Sequence, residues 1–212
     1  RNDLELLCEA AKTKRFGTVQ LVNYRNLLIP EQETQFAAIT FLLDDGSAFL
    51  SFRGTDHTLV GWKEDFNMSY LTDVPAQRSA AAYFEAQCNT RRSNYILGGH
   101  SKGGNLAVYA ASHAGADVQE RIRAVYSFDG PGLDDATMAS DGYAAIARLI
   151  RSFVPQSSVV GLLLAYHPEY TVVKADAVGL LQHDCFTWQV LGTGFIAVTE
   201  LDVSSQLVDQ TV

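Results

Sequence analysis

Cysteine is scarce in this chain: Cys8, Cys88 and Cys185 are odd in number and far apart, so they supply neither a disulfide framework nor a metal-ligand spacing. A reducing compartment, the cytoplasm, is the expectation. Basic charge is short as well, with 16 Lys and Arg against 24 Asp and Glu and a net charge of -8. The single basic cluster, Arg91-Arg92, reads as a solvated helix end, and a nucleic-acid partner is excluded because its phosphates would be repelled. No apolar run reaches the ~18 residues needed to span a bilayer, the longest lying around Val159 to Tyr166, so no transmembrane segment is expected. Also missing are a signal-peptide pattern ahead of Asp3, an internal repeat, a low-complexity tract and the Gly-x-x-x-x-Gly-Lys-Ser/Thr order of a phosphate-binding loop. No cofactor and no metal are expected. The chain opens at Arg1 rather than methionine, and its tail, Ser204 to Val212, ends without a closing element, which leaves room for a fragment of a longer protein.

What is present is enough for one sizeable core: 212 residues at 47% hydrophobic, read as a single domain over residues 1–212. Thr18 to Tyr24, Phe36 to Leu43 and Ala48 to Phe52 are rich in β-branched and aromatic residues, the last two joined by Asp44-Asp45-Gly46-Ser47 as a hairpin. Leu59 to Phe66 and Ala76 to Cys88 read as helices, Tyr95 to Leu97 as a strand, Ala124 to Phe128 as another, Ala136 to Arg151 as a helix and Tyr170 to Lys174 as a late strand. Strand and helix alternate, which is the grammar of a mostly parallel α/β sheet.

Within that pattern Tyr95-Ile96-Leu97-Gly98-Gly99-His100-Ser101-Lys102-Gly103-Gly104-Asn105-Leu106-Ala107 runs from buried strand through Gly-x-Ser-x-Gly to helix. This is the nucleophile elbow of an α/β-hydrolase, in which a strained turn exposes the serine Oγ. A side chain at Gly99 or Gly103 is expected to collide with the neighbouring strand or helix. Ser101 is thereby the candidate nucleophile.

A second constellation, Phe52-Arg53-Gly54-Thr55-Asp56, ends an apolar strand and precedes Gly61-Trp62-Lys63-Glu64-Asp65-Phe66. Phe-Arg-Gly-Thr, a Trp-x-x-Asp helix and Gly-His-Ser-x-Gly-Gly in this order resemble the class 3 lipases, the fungal triacylglycerol lipases and their bacterial relatives. The wording Gly-His-Ser-Lys-Gly-Gly-Asn-Leu-Ala with Ser-Phe-Asp-Gly-Pro-Gly is most similar to an uncharacterised bacterial branch, over roughly Phe36 to Trp188. The resemblance implies an oxyanion hole at Thr55, with the backbone N–H of Lys102 as second donor. Such a pair meets the negative charge that attack places on an ester oxygen. Arg53 reads as structural, paired to Asp65 or Glu64, and Asp56 reads equally as a helix cap.

A serine needs a histidine to take its proton, and the fold orders its triad Ser, Asp, His. His57 precedes the serine, His100 adjoins it and is expected to turn away, His113 lies along the next helix and His167 precedes the last strand. His183, in the loop after that strand, is left as the base. The acid is less fixed, because class 3 lipases carry it in an Asp-x-Val-Pro segment whose counterpart here, Ser152 to Gly161, holds no carboxylate. Asp129, ending the strand after the nucleophile helix, takes the role by position, as in pancreatic-type lipases; Asp176 is the runner-up. The expected function is a serine hydrolase acting on a small-molecule ester or lipid substrate, with Leu59, Val60, Trp62, Phe66 and Met68 as lid or acyl-pocket candidates. A non-catalytic hydrolase-fold module stays open beside it, as does a thioesterase or acyltransferase with the same triad.

Overall fold

Eight strands form one sheet in the computed structural model, which describes residues 2–32, 34–55, 73–88, 94–164 and 167–202. In chain order, β1 (Gln20–Ile29), β2 (Thr34–Leu42) and β3 (Ala48–Phe52) run antiparallel. Then β4 (Tyr95–His100), β5 (Ile122–Phe128), β6 (Ile150–Pro155) and β7 (Tyr170–Val173) continue parallel to β3, and the short strand Ala197–Val198 closes the edge antiparallel. Five parallel strands in unbroken sequence order, joined by right-handed crossovers, place the connecting helices among the described residues on one face.

Burial follows from that. Helices Pro75–Cys88 and Lys102–Ser112 pack on each other and on the sheet. Leu50, Phe52, Leu97 and Val125 point toward them and are fully buried, each contributing about 1.5–3 kcal/mol of hydrophobic stabilisation. Alternate residues project from the opposite face, where Phe128 stacks with Phe153 at 5.6 Å and both contact Phe195. Among the described residues no helix is long and apolar enough to cross a membrane.

Two elements differ from the sequence reading. The single helix expected over Ala136 to Arg151 is instead Asp135–Met138, then Asp141–Ile146, and Ile150 already opens β6. Two successive caps explain the break: Asp134 accepts from Thr137 N at 3.0 Å, and Ser140 accepts from Tyr143 N at 3.1 Å, restarting the helix. The first strand runs on to Ile29, across an irregularity between Val22 and Arg25 where Asn23 takes φ 55°. Its polar residues hid it, since β1 is mostly exposed and has no apolar alternation to read. The expected helix Leu59 to Phe66, with Trp62 and Met68, lies outside the described residues, as do Asp56, His57, Asp65, Arg91, Arg92, Tyr166 and the tail from 203.

Candidate active site

Parallel pairing sets the C-terminal ends of β4 and β5 side by side, with His100 opposite Phe128. Ser101 follows β4 and Asp129 follows β5, so both project from one sheet edge, where ligands of open α/β sheets gather. Ser101 takes φ 56° and ψ -130°, a conformation that L side chains rarely adopt, and is the cap of helix Lys102–Ser112. Its amide donates to Phe128 O at 2.9 Å, tying the turn to β5.

The elbow is possible because the chain is bare on either side. A Cβ at Gly99 would lie 2.5 Å from the carbonyl oxygens of Phe52 and Gly103, and one at Gly103 would overlap the Phe52 oxygen outright. Gly103→Ala is therefore expected to lower stability by about 1–3 kcal/mol, the usual cost of forcing an extra carbon into a packed interior. Urea denaturation measures it, and an unchanged midpoint would refute the close approach.

Asp129 is 1% exposed and itself holds a positive φ of 48°. Its Oδ2 accepts from His183 Nδ1 at 2.6 Å, while Oδ1 accepts from Ser158 Oγ at 2.5 Å and from Gly161 N at 3.1 Å. Three donors thus converge on one buried side chain. Since a carboxylate only accepts, the Nδ1 of His183 carries the proton and its Nε2 is left with the lone pair of a base.

His183 ends the 3-10 turn Gly179–His183, which buried Gln182 pins: its Oε1 accepts from Ser157 N at 2.8 Å and its Nε2 donates to Ala177 O at 2.9 Å. Trp188 Nε1 donates to Gln182 O at 2.7 Å. Among the described residues no hydrogen bond joins Ser101 Oγ to His183. Asp176 is placed elsewhere, exposed and accepting from Gln189 Nε2.

The Arg53-Gly54-Thr55 turn abuts the elbow, for a Cβ at Gly54 would stand 3.4 Å from Ser101 Cβ. Thr55 shares an open cleft with His100, Gly99 and Phe128. Lys102 is 2% exposed, and its ammonium turns to β2, where it donates to Gln35 O at 2.9 Å and Gln35 Oε1 at 2.6 Å. Its charge is thereby directed to β2, whereas its amide opens the helix among N–H groups without an intrahelical partner. Arg53, expected to pair with Glu64 or Asp65, donates to Asn26 Oδ1 at 3.3 Å; the two acids lie outside the described residues.

The expectation that His100 turns away needs correction. His100 projects from the sheet face that Gly98 and Phe128 share, and this is where the His183 loop lies. Its Nε2 donates to His183 O at 2.7 Å, and the two rings are 4.5 Å apart. His113 stacks on Tyr109 at 3.8 Å, and His167 Nδ1 shares a hydrogen bond with Tyr143 OH at 2.7 Å.

Burial holds both His100 and His167 below the ordinary histidine value of 6.5, with His183 adding to the effect at His100. The folded protein refuses protons that the unfolded chain accepts, so this contribution to stability is complete above the unfolded value and falls away as pH drops through and below it. Thermal melts from about pH 8 to pH 5 should show the midpoint declining on the acid side, and replacing His167 by Gln should flatten that decline.

A mostly parallel central sheet flanked by helices, with a strand–turn–helix elbow at Ser101, is the α/β-hydrolase fold seen in lipases. By sequence, the chain belongs to the Mbeg1-like family, whose model matches residues 10–212. No curated protein matches it. Among solved structures it is similar to M37 lipase, at TM-score 0.52 and 16% identity over 76% of this chain and 61% of that one. A fungal lipase in an inhibitor complex has TM-score 0.49 and 14% identity, over 74% of this chain and 66% of the other. A triacylglycerol lipase from Penicillium expansum has TM-score 0.48 and 12% identity, over 74% and 70%. The chain thus spans less than two-thirds of the M37 lipase and of the fungal lipase in the inhibitor complex.

Proposed function

We propose that the protein is a serine hydrolase that cleaves carboxylic esters of lipid or other acyl type through Ser101, His183 and Asp129. The observation that supports it best is the buried Asp129 carboxylate, 2.6 Å from His183 Nδ1 and one strand from the elbow serine. On substrate binding the His183 Nε2 to Ser101 Oγ approach tightens, as such contacts do when a Michaelis complex forms. Nε2 then takes the Oγ proton while Oγ bonds to the ester carbonyl carbon, and the carbonyl π pair moves onto oxygen. The N–H groups of Thr55 and Lys102 receive that oxyanion, with the Thr55 hydroxyl as a third donor. The C–O bond to the alcohol breaks as His183 returns the proton to the leaving oxygen. Water, deprotonated by the same Nε2, releases the acid and restores Ser101. Asp129 keeps its charge throughout and stabilises the imidazolium.

The test is reaction with a fluorophosphonate, mapped by peptide sequencing, beside a series of p-nitrophenyl esters of rising chain length. Modification of Ser101 with turnover of at least one ester is the expected result. Modification of another serine, or of none, would overturn the reading.

A further inference from the structure

The Asp129 bond fixes one edge of the base, but something must also hold the loop that carries it. We propose that His100 is a positioning residue for His183, its Nε2–H holding the carbonyl of His183 and its ring bracing the imidazole from the side. The proposal rests on His183 being the base of the hydrolase proposed above.

Three observations carry it. First, the bond His100 Nε2 to His183 O, at 2.7 Å, closes 83 residues of chain, and His100 is the residue bonded to the nucleophile. One hydrogen bond therefore links the strand that presents Ser101 to the turn that presents His183, which sets the separation on which proton transfer depends. Second, that turn is weakly held by packing, since its neighbours Val178, Leu180 and Leu181 are 68–82% exposed. Its anchors are instead polar, through Gln182, Trp188 and His100. Third, the rings are 4.5 Å apart and inclined by 39°, so His100 covers a flank of a base that is itself 30% exposed.

The chemistry restricts His100 to one role. A carbonyl only accepts, so Nε2 of His100 must carry hydrogen, and neutral His100 is the Nε2–H tautomer. A second proton on His100 is opposed by burial first and by the adjacent His183 next. Asp129 and Asp184 act in the other direction, and Arg53 and Asp3 line the same cleft. When His183 becomes imidazolium during attack, a neutral ring beside it tolerates the charge, whereas a charged one would repel it. His100 thus braces the base without competing for its proton.

His100→Gln keeps a side-chain N–H at similar reach but loses the ring, and His100→Ala loses both. The alanine variant is expected to react with a fluorophosphonate about 10²-fold more slowly, as for a misplacement of roughly 1 Å, and the glutamine variant within about tenfold of the parent. Imidazole ¹⁵N NMR supplies a reading that does not need activity. His100 of the parent should be the Nε2–H tautomer, and in both variants water regains the flank of His183, so its Nδ1–H should exchange with solvent faster than in the parent. A residue with a merely architectural role would lower the melting temperature and leave that exchange rate unmoved. Parent-like reaction of the alanine variant, or an unmoved His183 Nδ1–H exchange rate in the glutamine variant, overturns the proposal. Should the alanine variant not fold, the glutamine variant decides by that exchange rate. If the parent itself does not react, the hydrolase reading fails, and the brace is judged by the NMR exchange rate alone.

Discussion

Ser101→Ala is expected to lower ester turnover by roughly 10⁶-fold and to remove fluorophosphonate labelling. The fold should scarcely register the change, with a melting temperature within about 2 °C of the parent. Both expectations come from the same geometry. Ser101 is half-buried, and its hydroxyl makes no hydrogen bond among the described residues, so deleting Oγ strands no buried partner. What holds the turn is main chain, namely the Ser101 amide on Phe128 O and the Gly104 amide on Ser101 O, each at 2.9 Å. Ser101→Gly sharpens the test: at φ 56° glycine relieves strain that serine bears, so this variant should be inactive and more stable by about 1 kcal/mol. A serine that holds a disfavoured conformation with no structural hydrogen bond from its hydroxyl suits a functional purpose. Retained turnover in Ser101→Ala would overturn it.

The elbow was legible because its requirement is local: two glycines and a serine within five residues, entered from an apolar strand and left by a small-residue helix. The hairpin at Asp44 to Ser47 was legible for the same reason, and Gly46 takes the φ of 83° that such a turn needs. Contacts between distant segments were not. Nothing in the sequence signals that Ser158 and Gly161 close on Asp129 from 29 and 32 residues away, or that His100 meets the residue 83 positions on. The break after Met138 was missed because helix propensity across Ala136 to Arg151 is high on average, while a cap at Ser140 and pairing of Ile150 with Val125 decide the outcome. Propensity is a weak prior, and ladder bonds outweigh it. The segment Ser152 to Gly161, read as lacking the family's acid, instead supplies two donors to a carboxylate on the neighbouring strand.

Those two donors make Asp129→Asn the more discriminating of the acid variants. An asparagine has one acceptor oxygen, and two donors, Ser158 Oγ and Gly161 N, already face one of its two positions. The amide oxygen therefore settles there, and the NH₂ is turned toward His183 Nδ1. A donor in that place needs Nδ1 as acceptor, which moves the imidazole proton to Nε2 and aims N–H rather than a lone pair at Ser101. The base is then in the wrong tautomer, and the imidazolium has lost its negative neighbour. The expected loss in kcat is roughly 10³ to 10⁴-fold, with a nearly unchanged melting temperature because the substitution is isosteric. Asp176→Asn should stay near the parent rate, since Asp176 is exposed and bonded to Gln189 rather than to any histidine. Steady-state kinetics on one activated ester measures both variants. Near-full activity in Asp129→Asn together with loss in Asp176→Asn would mean that the acid belongs to the loop of the histidine itself, and that the 2.6 Å contact to Asp129 is architectural.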